Sequence, residues 1–407
     1  MSIKNKVRVF LEQNKLFSEI YHVYHEQAKY FYNRKNPKII LHPQVKIEVL
    51  GSSNQTFFGY YDRSATKQSK TIYHGVDSGL SLKRDVDIFV NETKVSSTNA
   101  WNWQQGSMLS WLDENTVIHN YFDDGYKAKL VNIETKEFKV VDTPIYTISP
   151  CSNYSVTVDF RRLALLRPDY GYFNVDYKNL SKKSDEDGLF LVDLNKNKTS
   201  LLISLVELSN FEPRDSMDEA FHKVNHPMYA PDGKSVIFLH RWYDKLNKKY
   251  SRLFRYYFSD QKLELLADYD MVSHCNFYDH ETIIGFLRGP SGKDAYYLIK
   301  DGNFTEILKG TLSEDGHPSY SSDRRFILTD TYPDHTCRQK VLLYDTKLDK
   351  LHTLGEFFSP KKYKNVNRCD HHPRFDDDNN YITFDTVYSG ERKIVRMDIS
   401  KIINGSD

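Results

Sequence analysis

Residues 225–238 read NHPMYAPDGKSVIF, which is a short apolar strand, a polar turn and a second apolar strand. Two later stretches repeat this phrase with variations: residues 316–328 read GHPSYSSDRRFIL, and residues 371–384 read HHPRFDDDNNYITF. Self-similarity at about 40 to 50 residues is typical of a β-propeller or another repeat array. Each unit carries a histidine just before its innermost strand, and equivalent points of successive blades converge on the propeller axis. The phrase therefore predicts a propeller with a polar, histidine-lined centre.

The bulk composition agrees with an all-β protein and excludes several classes. The chain has 407 residues with a net charge of +1, and 14% of them are aromatic. The low net charge and the lack of a basic stripe argue against a nucleic-acid partner. Four cysteines in a chain of this size do not form a disulfide framework. Because no signal peptide and no apolar stretch of membrane-spanning length is visible, we expect a reduced, cytoplasmic setting.

The chain divides into an N-terminal segment, residues 1–44, and a propeller, residues 45–407. Residues 7–34 carry apolar and aromatic side chains at helical spacing, flanked by basic residues. We expect this helix to pack against the side of the propeller. Docking on a membrane surface or on a partner protein is the alternative.

The rest of the chain predicts seven units of short strands. The units begin near Thr56, Gly106, Thr147, Asn225, Ser273, Gly316 and His371. The last unit shows only three clear strands, and residues 45–50 could supply its outer strand. Closing the ring in this way would remove exposed sheet edges. Two insertions, residues 161–184 and 205–224, are expected to form lids or walls over one face.

Histidines and cysteines cluster in the last three units and predict a metal site. The expected ligands are His274, His317, Cys369 and His371, with Cys337 in reserve. Thiolate and imidazole suit zinc, and mixed sites of this kind are usually structural. We therefore expect a divalent metal, zinc first and manganese second. The alternative is that these cysteines are ordinary core residues.

A second set of polar and aromatic side chains is predicted on the opposite side of the ring. Its members are Tyr60, Tyr61, Asn102, Gln104, Gln105, Arg162, Arg167, Tyr172, His226, His240, Arg241 and Trp242. Arginine can grip a carboxylate with two hydrogen bonds, and tyrosine or tryptophan can stack on sugar rings. Histidine can act as a general base near neutral pH. The chain has no phosphate-binding glycine loop, no nucleophile elbow and no His-Glu-x-x-His motif.

Five stretches resemble bacterial TolB-like propellers, which are related to oligogalacturonate lyases and, more distantly, to ulvan lyases. They are residues 57–62 (FFGYYD), 225–227 (NHP), 238–242 (FLHRW), 329–334 (TDTYPD) and 368–374 (RCDHHPR). The resemblance spans residues 55–400. It implies a metal held by histidines that neutralises a uronate carboxylate while a base removes the C5 proton.

Unit by unit, the resemblance implies that His274 and His371 are metal ligands and that His226 is the catalytic histidine. Cys369 departs from the oligogalacturonate lyase pattern, since a harder ligand is expected there. It favours the structural zinc implied by the likeness to ulvan lyases.

The leading hypothesis is a carbohydrate-active protein that cleaves an acidic, uronate-containing glycan by β-elimination. His226 would be the base, Tyr60 or Tyr172 the acid, and Arg162 or Arg167 would neutralise the carboxylate. The substrate-binding candidates are Tyr61, Asn102, Gln104, Gln105, His240, Arg241 and Trp242. The alternatives are a glycosyltransferase of surface-polysaccharide assembly and a non-catalytic scaffold.

Overall fold

The computed structural model describes residues 30–31, 38–175, 177 and 179–405. Strands in these ranges form seven antiparallel sheets of four or five strands each. The predicted seven-bladed, all-β propeller is confirmed. The predicted helix over residues 7–34 lies outside the described residues, apart from Tyr30 and Phe31, which are helical. Within the described ranges no helix is long and apolar enough to cross a membrane.

The first four blades follow one another along the chain. Two strands precede them: β1 (Ile39–Leu41) and β2 (Lys46–Val49). Blade 1 comprises β3 (Gln55–Phe57), β4 (Thr66–Lys67), β5 (Lys70–Val76), β6 (Val86–Val90) and β7 (Thr93–Thr98). Blade 2 comprises β8 (Ser110–Trp111), β9 (Thr116–Phe122), β10 (Tyr126–Asn132) and β11 (Phe138–Val141). Blade 3 comprises β12 (Thr147–Ile148), β13 (Tyr154–Thr157), β14 (Gly188–Asp193) and β15 (Lys198–Ser204). Blade 4 comprises β16 (Phe221–Tyr229), β17 (Ser235–Tyr243), β18 (Lys249–Tyr257) and β19 (Leu263–Ala267).

The last three blades carry the later copies of the repeated phrase. Blade 5 comprises β20 (Val272–Phe277), β21 (Ile283–Arg288), β22 (Asp294–Lys300) and β23 (Asn303–Glu306). Blade 6 comprises β24 (Ser319–Tyr320), β25 (Phe326–Asp330), β26 (Arg338–Asp345) and β27 (Lys350–Phe358). Blade 7 comprises β28 (Arg374–Phe375), β29 (Tyr381–Thr386) and β30 (Lys393–Asp398).

The N-terminal strands complete the last two blades. β2 pairs antiparallel with β30, with Ile47 opposite Met397, so the predicted closing strand is confirmed. β1 pairs with β27, with Ile40 opposite Glu356, and adds a fifth strand to blade 6. This strand falls inside the segment 1–44 that the sequence predicts as helical. Both pairings cover outer edges that would otherwise be exposed.

The second strand of a blade is buried on both faces, which explains its continuous apolar sequence. In β17 every residue except Tyr243 is buried, because neighbouring blades cover both faces of the sheet. The same argument accounts for β25, in which all five residues are buried. Core side chains therefore fill the spaces between blades, and the polar strand starts are left to meet at the centre.

Short helices occupy the insertions and the C-terminus. The α-helices are α1 (Phe160–Leu166), α2 (Leu205–Asn210) and α3 (Ser400–Asn404), and single 3-10 turns span Pro168–Tyr170, Asp215–Met217 and Asn365–Asn367. The side chain of Asp159 caps α1, and Ser204 with Glu207 forms a capping box at α2. These caps satisfy amide groups at the helix starts and fix the insertions on the propeller face.

Candidate active site

Four histidines from blades 4 to 7 meet near the propeller axis. The ring centroids of His226 and His274 are 6.3 Å apart, and those of His274 and His317 are 4.2 Å apart. The rings of His317 and His372 are also separated by 4.2 Å. Each histidine lies in or just before the innermost strand of its blade, so the convergence follows from the propeller geometry.

Hydrogen bonds hold three of these imidazoles by their Nδ1 atoms. Nδ1 of His317 lies 2.7 Å from the carboxylate of Asp330, and Nδ1 of His274 lies 3.1 Å from that of Asp315. Nδ1 of His372 contacts the carbonyl oxygen of Gly59 at 3.0 Å. A metal-binding histidine commonly has its second nitrogen fixed in this way by a carboxylate or a carbonyl group.

For His317 and His372 the opposite nitrogen, Nε2, is buried. Nε2 of His317 and Nε2 of His372 make no hydrogen bond with any described residue. Asp370 lies beside them, and one ligand atom from each of the three residues falls within 4.8 Å of the other two. We call His317, Asp370 and His372 the cation cluster. Two imidazoles and a carboxylate are suitable ligands for a divalent transition metal, so the residues fit such an ion.

The electrostatics of the cation cluster favour positive charge at His317. Burial alone would lower the pKa of His317, but the carboxylate of Asp330 outweighs it and raises this pKa above its ordinary value. Burial would likewise raise the pKa of Asp330, and His317 holds it below its ordinary value. Asp370 adds to the pull on His317. The site therefore attracts positive charge, which a proton or a metal ion can supply.

Two aspartates join neighbouring blades around the cluster. Asp330, at the end of β25, accepts hydrogen bonds from the backbone amides of His317 and His372, each at 3.0 Å. Asp385, in β29, accepts from the amides of Phe58 and Gly59 in blade 1. These contacts fix the backbone of the strand starts, which positions their side chains.

Gly59 is required at this junction. Its φ is +128°, and a Cβ atom would lie 2.7 Å from the carbonyl carbon of Gln105. The close approach brings the two tyrosines that follow it, Tyr60 and Tyr61, into the centre. The ring of Tyr61 lies 5.3 Å from that of His317, and its hydroxyl donates to the carbonyl of Cys275.

Tyr60 and His226 form a stacked pair next to the cation cluster. Their centroids are 5.1 Å apart with an interplanar angle of 8°, and Tyr60 also packs edge-on against His372 at 4.8 Å. Nδ1 of His226 contacts the hydroxyl of Tyr146 at 3.2 Å, and that hydroxyl accepts from Gln105. Nε2 of His226 and the hydroxyl of Tyr60 are buried without a described partner.

Burial sets the protonation states of this pair. Burial, with the positive charge of Arg241 nearby, lowers the pKa of His226 well below its ordinary value, so the ring is neutral at pH 7. Burial, with the neighbouring Tyr170, raises the pKa of Tyr60 well above its ordinary value. A neutral imidazole and a protonated phenol therefore stand side by side with free polar atoms.

The mouth of the site is formed by the first insertion and by the segment before blade 7. Arg368 pairs with Asp169 and with Asp370, and it donates to the hydroxyl of Tyr170 at 3.0 Å. Tyr332 faces His317, with 5.8 Å between the centroids. A cavity of about 510 Å³ opens here, lined by Arg167, Pro168, Asp169, Tyr332, Asn365, Val366 and Arg368. This insertion forms part of the site wall.

The structure does not bring three of the expected metal ligands to the cation cluster. Cys369 is buried in an apolar cluster with Tyr363 and Val387. His371 is inserted between aromatic rings of the blade core, and its Nδ1 contacts the carbonyl of Asp385 at 2.7 Å. The reserve residue Cys337 lies in the turn between β25 and β26. His317 belongs to the cluster and His274 adjoins it, whereas Asp370 and His372 are not among the ligands that the sequence predicts.

Four residues of the second predicted set have contacts away from the centre. Arg162 pairs with the carboxylate of Asp187, and Tyr172 stacks on Phe160 at 4.4 Å in the core of blades 2 and 3. The remaining two, His240 and Trp242, are buried in blade 4, bonded to His222 and Ser216. These contacts lie away from the central histidines, so they do not support the predicted catalytic or binding roles, which stay predictions.

The other predicted residues lie at or next to the site. Asn102 caps its own turn by accepting from the amides of Gln104 and Gln105, and the side-chain amide of Gln104 donates to the carbonyl of Arg368. Gln105 supports Tyr146, as described above. Arg241 donates to the carbonyls of Val272 and Ser273, next to His274. The two predicted sets are therefore not on opposite sides of the ring, because Tyr60 touches members of both.

Sequence reasoning missed His372, Asp370, Asp330 and Asp315. The repeated phrase contains the signal for His372, because in all three copies a histidine directly precedes proline, at His226, His317 and His372. His371 is one residue out of this register, and its ring packs against Phe357 and Phe384 in the blade core instead. The aspartates carry no such signal, since they reach the site from the far ends of other strands or from loops.

Comparisons with known proteins support the fold. No protein-family model matches the sequence, and no curated protein matches it at a significant level. An oligogalacturonate lyase from Vibrio parahaemolyticus superposes with a TM-score of 0.59 at 12% identity, over 88% of this chain and 97% of its own. The tricorn protease gives a TM-score of 0.51 at 10% identity, over 89% of this chain and 34% of its own.

A second oligogalacturonate lyase, solved in complex with manganese, gives a TM-score of 0.46 at 12% identity, over 88% of this chain and 98% of its own. The names of all three proteins are those of enzymes. Identities this low show the fold alone. The chain is a seven-bladed β-propeller with the overall fold of the Vibrio oligogalacturonate lyase.

Proposed function

We propose that this protein cleaves a uronate-containing oligosaccharide by metal-assisted β-elimination. The observation that carries the proposal is the cation cluster standing beside a neutral His226 and a protonated Tyr60. An acceptor of a proton, a donor of a proton and a site for positive charge are the three elements that this reaction needs. The shared fold with an oligogalacturonate lyase is consistent with this substrate class.

A divalent cation would be held by His317, Asp370 and His372, with His274 adjoining. When bound, it would neutralise the uronate carboxylate and so lower the pKa of the adjacent C5 proton. The free Nε2 atoms of His317 and His372 support this assignment, because buried nitrogen atoms without partners are costly. No thiolate is among His317, Asp370 and His372, so the argument from cysteine for a structural zinc does not apply, while the carboxylate also suits manganese. We expect manganese or a similar ion.

His226 would take the C5 proton through its free Nε2. The electron pair of that C–H bond forms the C4–C5 double bond as the C4–O bond to the leaving sugar breaks. The contact of Nδ1 with Tyr146 fixes the ring orientation, and the support from Gln105 makes Tyr146 a positioning residue. The low pKa of His226 keeps its lone pair available at neutral pH.

Tyr60 would protonate the oxygen of the leaving sugar. Its raised pKa keeps the hydroxyl protonated until the C4–O bond breaks, and its hydroxyl has no competing described partner. Because Tyr60 stacks on His226, the proposed acid and the proposed base lie next to each other in the site. Arg368 has no role in the proton transfers. Its ion pairs with Asp169 and Asp370 connect the first insertion to the segment before blade 7.

The test is to incubate the purified protein with oligogalacturonate and Mn²⁺ and to follow the ultraviolet absorbance of the unsaturated product. We expect a signal that a chelator removes, and a loss of about 100-fold or more in His226→Asn. His240→Asn is the matched control, because among the described residues this buried histidine bonds only His222 and Arg252 of blade 4, and its loss should leave the activity in place. The proposal fails if the parent protein produces no unsaturated product from any uronate oligomer.

A further inference from the structure

Blade 4 and the end of α1 bring together four cationic side chains next to His226. Lys223 in β16 lies directly opposite Arg241 in β17, and Lys249 begins β18, the next strand. Arg167 follows α1, whose last carbonyl, that of Leu166, accepts a hydrogen bond from Lys223 at 3.3 Å. Like charges directly opposite each other destabilise a sheet, so this arrangement needs an explanation.

Three of these four side chains lack an acidic partner. Within the described part of the chain, Lys223, Arg241 and Lys249 form no ion pair with a carboxylate, whereas Arg167 pairs with Asp169 at 3.1 Å. Lys223 is 1% exposed and Arg241 is 5% exposed. Nε of Arg241 is buried with no described hydrogen-bond partner. A buried, unpaired charge costs free energy that a bound anion would recover.

Repulsion among these groups, together with burial, lowers the pKa values of the two lysines. Burial, followed by the charges of Arg241 and Arg167, lowers the pKa of Lys223 well below its ordinary value. Arg241 and burial together lower the pKa of Lys249 to about 8. Lys249 is exposed at the outer end of the group, and Arg167 lines the cavity at the mouth of the site.

Hydrogen bonds through Ser273 connect the cationic group to the histidines at the centre. Arg241 holds the carbonyl of Ser273 at 3.0 Å, and the hydroxyl of Ser273 lies 3.1 Å from Nδ1 of His274. The ring of His274 is 4.2 Å from that of His317 in the cation cluster. An acidic sugar bound at the cluster would therefore have its chain neighbour beside these cations.

We propose that Lys223, Arg241, Lys249 and Arg167 form a subsite for the carboxylate of a second acidic sugar, adjacent to the sugar at the cation cluster. The identity of the first sugar rests on the function proposed above. The protein would accordingly require two consecutive acidic sugars, and a single uronate would bind weakly. We call these four residues the carboxylate subsite.

The experiment measures the binding of digalacturonate and of galacturonate by calorimetry, in the presence of a chelator so that no turnover occurs. We expect the parent protein to bind the disaccharide at least tenfold more tightly than the monosaccharide, as charge-assisted hydrogen bonds of ordinary strength imply. Lys223→Met and Arg241→Met should each reduce this preference about tenfold. Lys245→Met is the control, since it removes the same charge from an exposed position in the adjoining hairpin and should not change the preference.

Two results would overturn the subsite. One is equal affinity of the parent for mono- and disaccharide, and the other is a preference that survives both Lys223→Met and Arg241→Met in folded protein. Competition by inorganic phosphate as effective as that by digalacturonate would also contradict the assignment to a sugar carboxylate. Because binding is measured without metal, a failure of elimination would leave this result interpretable.

Discussion

The adjacent pair His371 and His372 allows the site assignment to be tested with one type of substitution at two positions. Asparagine places its side-chain amide nitrogen near the position of histidine Nδ1 and has no counterpart of Nε2. It also tolerates the positive φ of +47° at His372. His372→Asn should therefore keep the hydrogen bond to Gly59 and remove one ligand of the cation cluster.

The two substitutions should have opposite effects on metal binding and on stability. For His372→Asn we expect Mn²⁺ affinity to fall at least 10- to 100-fold, equivalent to about 1.4–2.7 kcal/mol, while the free energy of unfolding changes by less than about 1 kcal/mol. For His371→Asn we expect Mn²⁺ affinity to stay within about twofold. Its ring is fully buried, 5.2 Å from Phe357 and 5.5 Å from Phe384, so the gap should cost about 1–3 kcal/mol of stability.

The assay is calorimetric titration of Mn²⁺ into chelator-treated protein, combined with urea unfolding of the metal-free protein. Metal-free unfolding is needed because bound metal would add its own stabilisation. Loss of Mn²⁺ binding in His371→Asn together with normal binding in His372→Asn would refute the assignment. Equal losses of binding in both variants, with both remaining folded, would refute it as well.

Two further substitutions test the packing and the charges around the centre. Gly59→Ala should lower the free energy of unfolding, measured by urea titration, by more than about 2 kcal/mol. The positive φ is strained for alanine, and its Cβ would clash with the backbone of Gln105. An unchanged urea midpoint would contradict this close approach. Lys223→Met should raise the thermal midpoint at pH 7, since it removes a buried cation opposite Arg241. A lysine with a lowered pKa binds fewer protons in the folded than in the unfolded state, so its cost fades as pH rises, and the gain should shrink between pH 7 and about 10.4. A gain in thermal midpoint that grows as the pH rises would contradict the lowered pKa of Lys223.

The repeated phrase was sufficient to predict the architecture, down to the closing strand. Residues 45–50, VKIEVL, alternate between apolar and charged side chains just before the first blade, and a ring with an incomplete last blade needs such a strand. The sequence does not predict β1, because this strand has only three residues and follows a helical pattern. Three residues are too few to show the alternation of apolar and polar side chains that indicates a strand. Its partner, β27, becomes visible only once the blades are arranged in a ring.

The sequence was enough to predict that the starts of the inner strands meet at the site. It was not enough to predict which side chains there could bind a metal ion. The structure brings His226 and His317 to the centre because they share a position in the repeat, although they were predicted in sets on opposite sides of the ring. Cys369 was expected as a ligand from the affinity of thiolates for zinc, whereas its side chain is turned into apolar packing with Tyr363. The partners that orient the histidines, such as Asp315, come from loops of irregular length, whose positions depend on tertiary contacts that local sequence does not encode.

Mass spectrometry of the products formed from trigalacturonate during a brief incubation in ¹⁸O-labelled water, before the anomeric oxygens exchange with solvent, tests the central claim most directly. Elimination breaks the C4–O bond without adding water, so the masses of the two fragments should sum to the mass of the substrate, with one unsaturated fragment and no ¹⁸O. Hydrolysis would add one labelled oxygen. We predict unlabelled, unsaturated product that depends on Mn²⁺ and on His226. Labelled product, or intact substrate under every metal condition, would contradict the account.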